Sequence, residues 1–403
     1  MRTTRTRARL LIDADIDHLP AARVFVGLAI PGLALIALGR TDLLIYAVCG
    51  SFTGMYGFAE APRQRLLHQC EAALLLVGAV GAGMLLARLQ TPPAVLVAAV
   101  AAFAGFASLV TDRLGLRPEG PFFGIFAFGA VAMVAAAQPD PLAALTVCAV
   151  TAAVCVAVGY LESARRHGRG VRPVPIAPHR IGRVSTVQAA RYVLAIAIAG
   201  GIGLLLGVGH ANWAMAGAAV PLAAATSRDR IARGVHRLAG TVLGLVVTAP
   251  LLIPGPSPAV LALVMIVLLY PTELFMARHY ALALGFFTPL IMAMTELADP
   301  TEPLTLLTDR AVDTLIGAAV GIAVALLIRE PAAGFAAQVC EPMHTGDMAD
   351  DNQWYYCIKH HKAEQGKTCW YGDRMGPYPD QATAERALEI ARARNKAADA
   401  EDD

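Results

Sequence analysis

Residues 230–244 read RIARGVHRLAGTVLG. A basic, polar run (Arg230, Arg233, His236, Arg237) meets the glycine-spaced opening of an apolar segment (Gly240, Thr241, Gly244). The change in character predicts a charged loop, 227–237, entering a membrane helix near residue 238. Glycines four apart lie on one helical face and let a second backbone come close. The spacing recurs at Gly50/Gly54, Gly203/Gly207 and Gly317/Gly321. It predicts either tight static packing or a seam along which helices slide.

The junction has an echo in the first half. Arg65 and His68 match Arg233 and His236 at one offset, 233 − 65 = 236 − 68 = 168. Ala21-Ala22-Arg23 falls on Ala189-Ala190-Arg191, and Gly32 and Gly39 fall on Gly200 and Gly207, at the same offset. Matched alanines between apolar segments mean little, but arginine, histidine and glycine in constant register predict an internal duplication, a common way of building transporters.

The chain is 56% apolar and only 16% charged, which excludes an ordinary soluble domain. Residues 1–330 contain arginine but no lysine; all four lysines (Lys359, Lys362, Lys367, Lys396) lie beyond. That shift predicts a boundary near Pro331 between two kinds of domain. The seven cysteines suggest no disulfide framework, and Cys49, Cys70, Cys148 and Cys155 read as small apolar residues in or beside spans.

Apolar runs of membrane-spanning length are expected at 21–39, 42–58, 71–89, 93–111, 121–137 and 141–160, and again at 187–208, 211–226, 238–254, 257–277, 279–296 and 305–328. Each is long enough, at about 1.5 Å per residue, to approach the roughly 30 Å of a hydrocarbon core. Helices are expected because strand-like alternation is absent and lipid offers backbone groups no partners. The loops 59–69, 112–120, 161–186, 227–237 and the Arg278-His279 turn are arginine-rich, whereas the alternate loops are poor in arginine. The alternation predicts twelve crossings with both termini in the cytoplasm. Residues 1–20, basic then acidic and without a cleavage site, read as a cytoplasmic segment rather than a signal peptide.

The expected class is therefore an all-α inner-membrane protein of two six-helix halves, 21–160 and 187–329, joined by a basic connector, 161–186. A linker, 330–353, leads to a small cytoplasmic α+β domain, 354–403. The lipid bilayer is the predicted surrounding, a second copy of the chain is a candidate partner, and no feature points to nucleic acid. Gly366-Lys367-Thr368 ends like a phosphate loop, but His361 stands where its first glycine is required, so no nucleotide site is expected and the protein is not expected to be an enzyme.

Ionisable residues within the spans are the candidate site. Arg23 and Arg191 open corresponding spans and read either as interfacial anchors or as an anion-attracting entrance. Arg310 lies toward the outer end of the last span, where the positive-inside pattern does not ask for arginine, with Asp313 three residues on along the same face. The pair reads as self-satisfied or as an anion contact tuned by the aspartate. Glu273, Asp313 and His236 are candidate proton-coupling groups, Glu273 equally a partner for Arg278.

The second half resembles the FUSC superfamily of fusaric-acid-resistance and aromatic-acid-exporter proteins, with plant malate channels as distant relatives. The resemblance rests on Ala190-Arg191, Trp213, Arg237-Leu-Ala-Gly240-Thr241-Val-Leu-Gly244, Tyr280 with Phe286-Phe287-Thr288-Pro289-Leu290, and Arg310-Ala-Val-Asp313-Thr314-Leu-Ile-Gly317. It covers about 187–329 and implies secondary export of small organic, often aromatic, carboxylates, with Arg23, Arg191, Trp213, Arg237 and Arg310 as substrate-binding candidates. A passive anion channel of the malate type is the alternative, and a non-transporting scaffold that presents the tail is the second. Larger relatives carry a sizeable soluble domain mid-chain, and here the connector is short.

In the tail, Trp354–His361 and Thr368–Tyr371 read as strands and 381–397 as an amphipathic helix capped at Asp380. Gly376-Pro377-Tyr378 before that helix resembles SPOR-like peptidoglycan-binding domains. Cys357, His360, His361 and Cys369 are candidate zinc ligands, and no other cofactor is expected.

Overall fold

The computed structural model describes residues 18–57, 60, 62–133, 139–167, 181–224, 227–276, 279–328, 354–357, 360, 362–366, 374–378 and 380–389. Contacts divide the chain into two units, Met1–Arg329 and Glu330–Asp403.

Each of the twelve apolar stretches carries a helix in the first unit: α1 His18–Ala37, α2 Leu44–Ser51, α3 Pro62–Arg88, α4 Pro93–Leu114, α5 Phe122–Met133, α6 Pro141–His167, α7 Arg183–Leu205, α8 Ala211–Leu222, α9 Ser227–Leu252, α10 Pro258–Met276, α11 Tyr280–Ala298 and α12 Pro303–Leu327. Nine of them, among the described residues, are long and apolar enough to cross a membrane. The chain is a multi-pass membrane protein. Large apolar side chains on these helices, such as Leu74, Leu85, Val246 and Leu315, stay exposed, as expected where the surrounding solvent is hydrocarbon.

The other three, α2, α5 and α8, are shorter than the expected spans. Every residue of α2 and of α8 is buried. The 12 residues of α8 rise only about 18 Å, so it is enclosed by its neighbours rather than set across lipid on its own. α2 gives way to tight 3-10 turns on both sides, at Thr41–Leu43 and Phe52–Met55. Residues 134–138, the expected continuation of α5, lie outside the described ones.

The opening stretch also differs from expectation. Arg230 to Arg237 are not loop but the first turns of α9, and Arg65 and His68 lie within α3. Hydropathy marks where lipid begins, whereas arginine is a good helix former and the helix simply continues into water. Asp229 in the first turn of α9 suits the positive end of the helix dipole, and Pro62 starts α3.

Packing follows one scheme in each half. α1 packs on α2 and α6, α2 on α6, α3 on α5 and α6, and α4 on α5; α7 packs on α8 and α12, α8 on α12, α9 on α11 and α12, and α10 on α11. Across the halves, α4 meets α7 and α10 meets α1, while α5 meets α8 and α11 meets α2. Gly39 and Gly207, 168 apart, follow α1 and α7 with φ of +66° and +68°, a left-handed conformation that glycine adopts without strain.

Gly240/Gly244 and Gly317/Gly321 mark close helix contacts, as do Gly50 and Gly203, whereas Gly54 has ordinary clearance and Gly207 lies beyond its helix in open space. A Cβ on Gly317 would stand 2.6 Å from Ala214 O and 2.8 Å from Gly217 Cα, so α12 and α8 touch backbone to backbone. One on Gly240 would collide with Ala281 O, and one on Gly50 with Cys148 O.

In the second unit, β1 Trp354–Cys357 pairs antiparallel with β2 Lys362–Gln365 and with β3 Arg374–Tyr378, and α13 Gln381–Glu385 follows. Asp380 caps α13, accepting from the Thr383 amide at 2.7 Å, and this holds its carboxyl below the usual range. Neither β2 nor β3 is among the strands expected from the sequence; the KAEQ of β2 lacks strand-forming residues and is held by pairing with Trp354–Cys357. The strand expected at 368–371 lies outside the described residues.

Candidate functional site

A cavity of about 1140 Å³ opens between elements of both halves. From the first half it is lined by the start of α1, by Met55 and by 117–123; from the second it is lined by the end of α8, α9 and the facing ends of α10 and α11. Arg23, Arg117, Arg233 and Arg237, with His236 and His279, outnumber Glu119 and Glu273 on its walls. Phe122, Phe123, Phe275 and Phe287 supply aromatic surface. The composition suits an anion with an apolar body.

Arg237 connects this cavity to a set of buried charges. It lines the cavity yet is only 2% exposed, and its guanidinium stands 6.0 Å from the Phe122 ring centre. Gly217 borders it, since a Cβ there would come 3.6 Å from Arg237 Nε, an ordinary contact. Arg310 lies within electrostatic reach of Arg237, Asp313 and Tyr280. Asp313 is ten residues into α12, about 15 Å from its start. Arg310 and Asp313 are 1% and 0% exposed. Arg237 Nε and Nη1, Arg310 Nε, both Asp313 carboxylate oxygens and Thr241 Oγ1 are buried without a hydrogen-bond partner. Buried charges are ordinarily paired, and isolated ones are costly. Among these three side chains two guanidiniums face one carboxylate, and Asp309, within electrostatic reach of Asp313, is a further anion beside them.

Trp213 is already engaged. Its ring stacks on His210 at 4.5 Å, and the Arg310 guanidinium lies 5.0 Å over it. His210 Nδ1 and the Gly209 amide each lie 3.2 Å from Asp309 Oδ2, which ties the α7–α8 turn to α12. Trp213 therefore positions Arg310 and does not line the cavity.

The first-half network is largely ion-paired. Glu162, at the end of α6, accepts from Arg65 Nη1 at 2.8 Å and from Arg23 Nη1 at 3.2 Å. Arg65 Nε also donates to Gly57 O at 2.8 Å, and His68 meets Glu60 at 2.8 Å. Arg23 keeps an unpartnered Nε beside the cavity, and Glu273, also on the wall, has an unpartnered Oε1.

Arg191, the counterpart of Arg23, lies outside the cavity. It donates through Nε to Ile328 O at 2.9 Å, through Nη1 to Gln188 Oε1 at 2.9 Å, and through Nη2 to Ile328 O again. It fastens the end of α12, as Arg23 fastens the end of α6. His236 is on the cavity wall and exposed. Arg278 and, in the tail, His361 and Cys369 lie outside the described residues, while Cys357 and His360 are described and stand together.

Three contributors escaped the sequence reading. Glu162 is a lone acid at the head of a basic connector, which was the available signal. Arg117 and Phe122 were hidden in a loop and in an apolar run, and nothing in their local pattern announces a cavity.

Residues 196–324 match a family model described as fusaric acid resistance protein-like. The match begins within α7 and ends within α12, so it includes Trp213, Arg237, Glu273, Arg310 and Asp313 but neither Arg23 nor Arg191. No curated protein and no solved structure gives a significant match.

Proposed function

We propose that the chain is a secondary transporter that exports small organic monoanions, aromatic carboxylates foremost, from the cytoplasm across the inner membrane. The observation that carries this is Arg237 on the wall of a basic and aromatic cavity, backed by the buried Arg310 and Asp313, all three with unpartnered polar atoms. A carboxylate entering there accepts hydrogen bonds from guanidinium groups already oriented. Its ring meets Phe122, Phe123 and Phe287. The family match over 196–324 points toward efflux as well.

The twelve helices read as two six-helix repeats, a reading supported by the recurring helix pairs and by the 168-residue register of Arg23/Arg191 and Gly39/Gly207. The arginine-rich ends of α1, α3, α7 and α9 then face the cytoplasm together with both termini, and the cavity is the cytoplasmic entrance. Asp313 and Glu273 are the coupling candidates: protonation of either removes a negative charge that competes with the substrate for the arginines.

Reconstituted vesicles loaded with labelled benzoate test the reading. Wild-type protein should release the label in response to an imposed proton gradient, and Arg310→Gln and Arg237→Gln should each reduce release to background at equal protein incorporation. Release at the wild-type rate in both variants would overturn it. Ionic currents far above carrier turnover would convert it to the channel alternative.

A further inference from the structure

We infer that the tail binds one zinc ion through Cys357 Sγ, His360 Nδ1 and a Glu364 carboxylate oxygen. The pairing of β1 with β2 creates the arrangement. Tyr355 is opposite Glu364 and Cys357 is opposite Lys362, so all four side chains share one face of the sheet, since facing residues project the same way and alternate residues repeat the face. His360, in the turn between the strands, returns toward that face: its Nδ1 stands 3.0 Å from Glu364 Oε1. One donor atom from each of Cys357, His360 and Glu364 lies within 4.8 Å of the other two.

A thiolate, an imidazole and a carboxylate make a mixed borderline set that suits zinc, with metal–ligand distances of about 2.0–2.3 Å. The donors would draw in by about 1 Å to reach those distances. His360 sits on an exposed turn and can make that adjustment, while Cys357 is fixed in β1 and buried. Lys362 Nζ, 3.4 Å from Glu364 Oε1, is the competing cation; its side chain is 66% exposed, so it can swing into water when the metal enters. Three protein ligands leave a fourth position for an exchangeable group.

The small core gives the site a reason to exist. Among the described residues of the tail, the buried apolar side chains are Tyr355, Tyr356, Cys357, Ala384 and Ala387. A core of that size contributes little net stability, and small folds of this kind commonly rely on a metal or a disulfide. An ion bridging the end of β1, the turn and β2 would clip the hairpin shut, and its binding energy would become folding energy. An ordinary buried cysteine, by contrast, needs no imidazole and carboxylate beside its sulfur.

The test uses full-length, tag-free protein in detergent, stripped with a chelator and then titrated with zinc or cobalt. The expected result is one metal per chain. Cobalt should produce a sulfur-to-metal charge-transfer band that Cys357→Ser abolishes. Glu364→Gln, which leaves the thiol in place, should weaken zinc binding by at least about tenfold, and Lys362→Gln should tighten it. Absence of a stoichiometric metal overturns the assignment. So does a charge-transfer band that persists in Cys357→Ser, or zinc affinity unchanged in Glu364→Gln.

Discussion

The two halves of the membrane unit pair their helices in a matching order, and each holds a buried charge cluster, but the two clusters differ in how far their charges are paired. In the first, Arg23 and Arg65 converge on Glu162, and each arginine has an anionic partner at 3.2 or 2.8 Å. In the second, Arg237, Arg310 and Asp313 are buried at least as deeply, yet their Nε, Nη1 and carboxylate atoms lack partners. At the 168-residue offset, Arg237 stands opposite Gln69, Arg310 opposite Leu142 and Asp313 opposite Leu145. The first half thus carries an ion-paired cluster, and the second a group that, in the function proposed above, meets an anionic substrate. Equivalent packing does not imply equivalent roles, and the buried charge that lacks a partner is the better pointer to function.

The largest expected effect comes from breaking the ion-paired network. Glu162→Gln leaves two buried guanidiniums without their carboxylate and should cost about 3–5 kcal/mol, read as a lower melting temperature and reduced yield in detergent. Asp313→Asn breaks no hydrogen bond and loses only the electrostatic attraction to Arg310, so it should cost less stability than Glu162→Gln while impairing transport. Equal stability losses in the two variants would break the contrast between the halves.

A smaller effect is expected at the helix crossings. Gly317→Ala drives a methyl into Ala214 O and Gly217, and Gly50→Ala drives one into Cys148 O and Thr151. Each should destabilise the protein by about 1–3 kcal/mol. Gly317→Ala should in addition depress transport, because Gly217, on the other side of that contact, borders the Arg237 guanidinium. If both glycines tolerate alanine without a change in melting temperature, the close crossings are not under strain.

The smallest effect concerns the caps of the last helix in each half. Asp140 Oδ2 accepts from the Ala143 amide at 3.0 Å, and Glu302 Oε2 accepts from the Thr305 hydroxyl and amide at 2.6 and 2.9 Å. These bonds hold the Glu302 carboxyl below its ordinary range. A depressed folded-state pKa contributes stability that is fully present above the ordinary value, about 4.3, and that fades as pH falls through the lower folded value. Hydrogen exchange at the start of α12, corrected for intrinsic rates, should therefore rise in that acidic window. Glu302→Ala should remove this pH dependence; an unchanged profile would assign it elsewhere.

The sequence by itself determined the composition class and the location of the twelve apolar helices, and it carries a 168-residue spacing of arginine, histidine and glycine and a change of composition near Pro331. These are legible because lipid imposes uniform apolar length on a segment, and because arginine and glycine keep their spacing through a helical framework. It also drew notice to Arg310 and Asp313, since charge inside an apolar run is rare, whereas Arg237 was read as part of a charged loop and became a candidate only through the family resemblance. Only the tertiary structure decided that α2 and α8 are short and enclosed, that the basic runs before α3 and α9 are helical, that Arg191 is spent on Ile328, and that Glu162 binds two arginines. It also brought Arg117 and Phe122 into one cavity with Arg237, and Glu364 beside Cys357 and His360. Partnership between side chains far apart in sequence depends on which helix faces and strand edges meet, and local pattern carries no record of that.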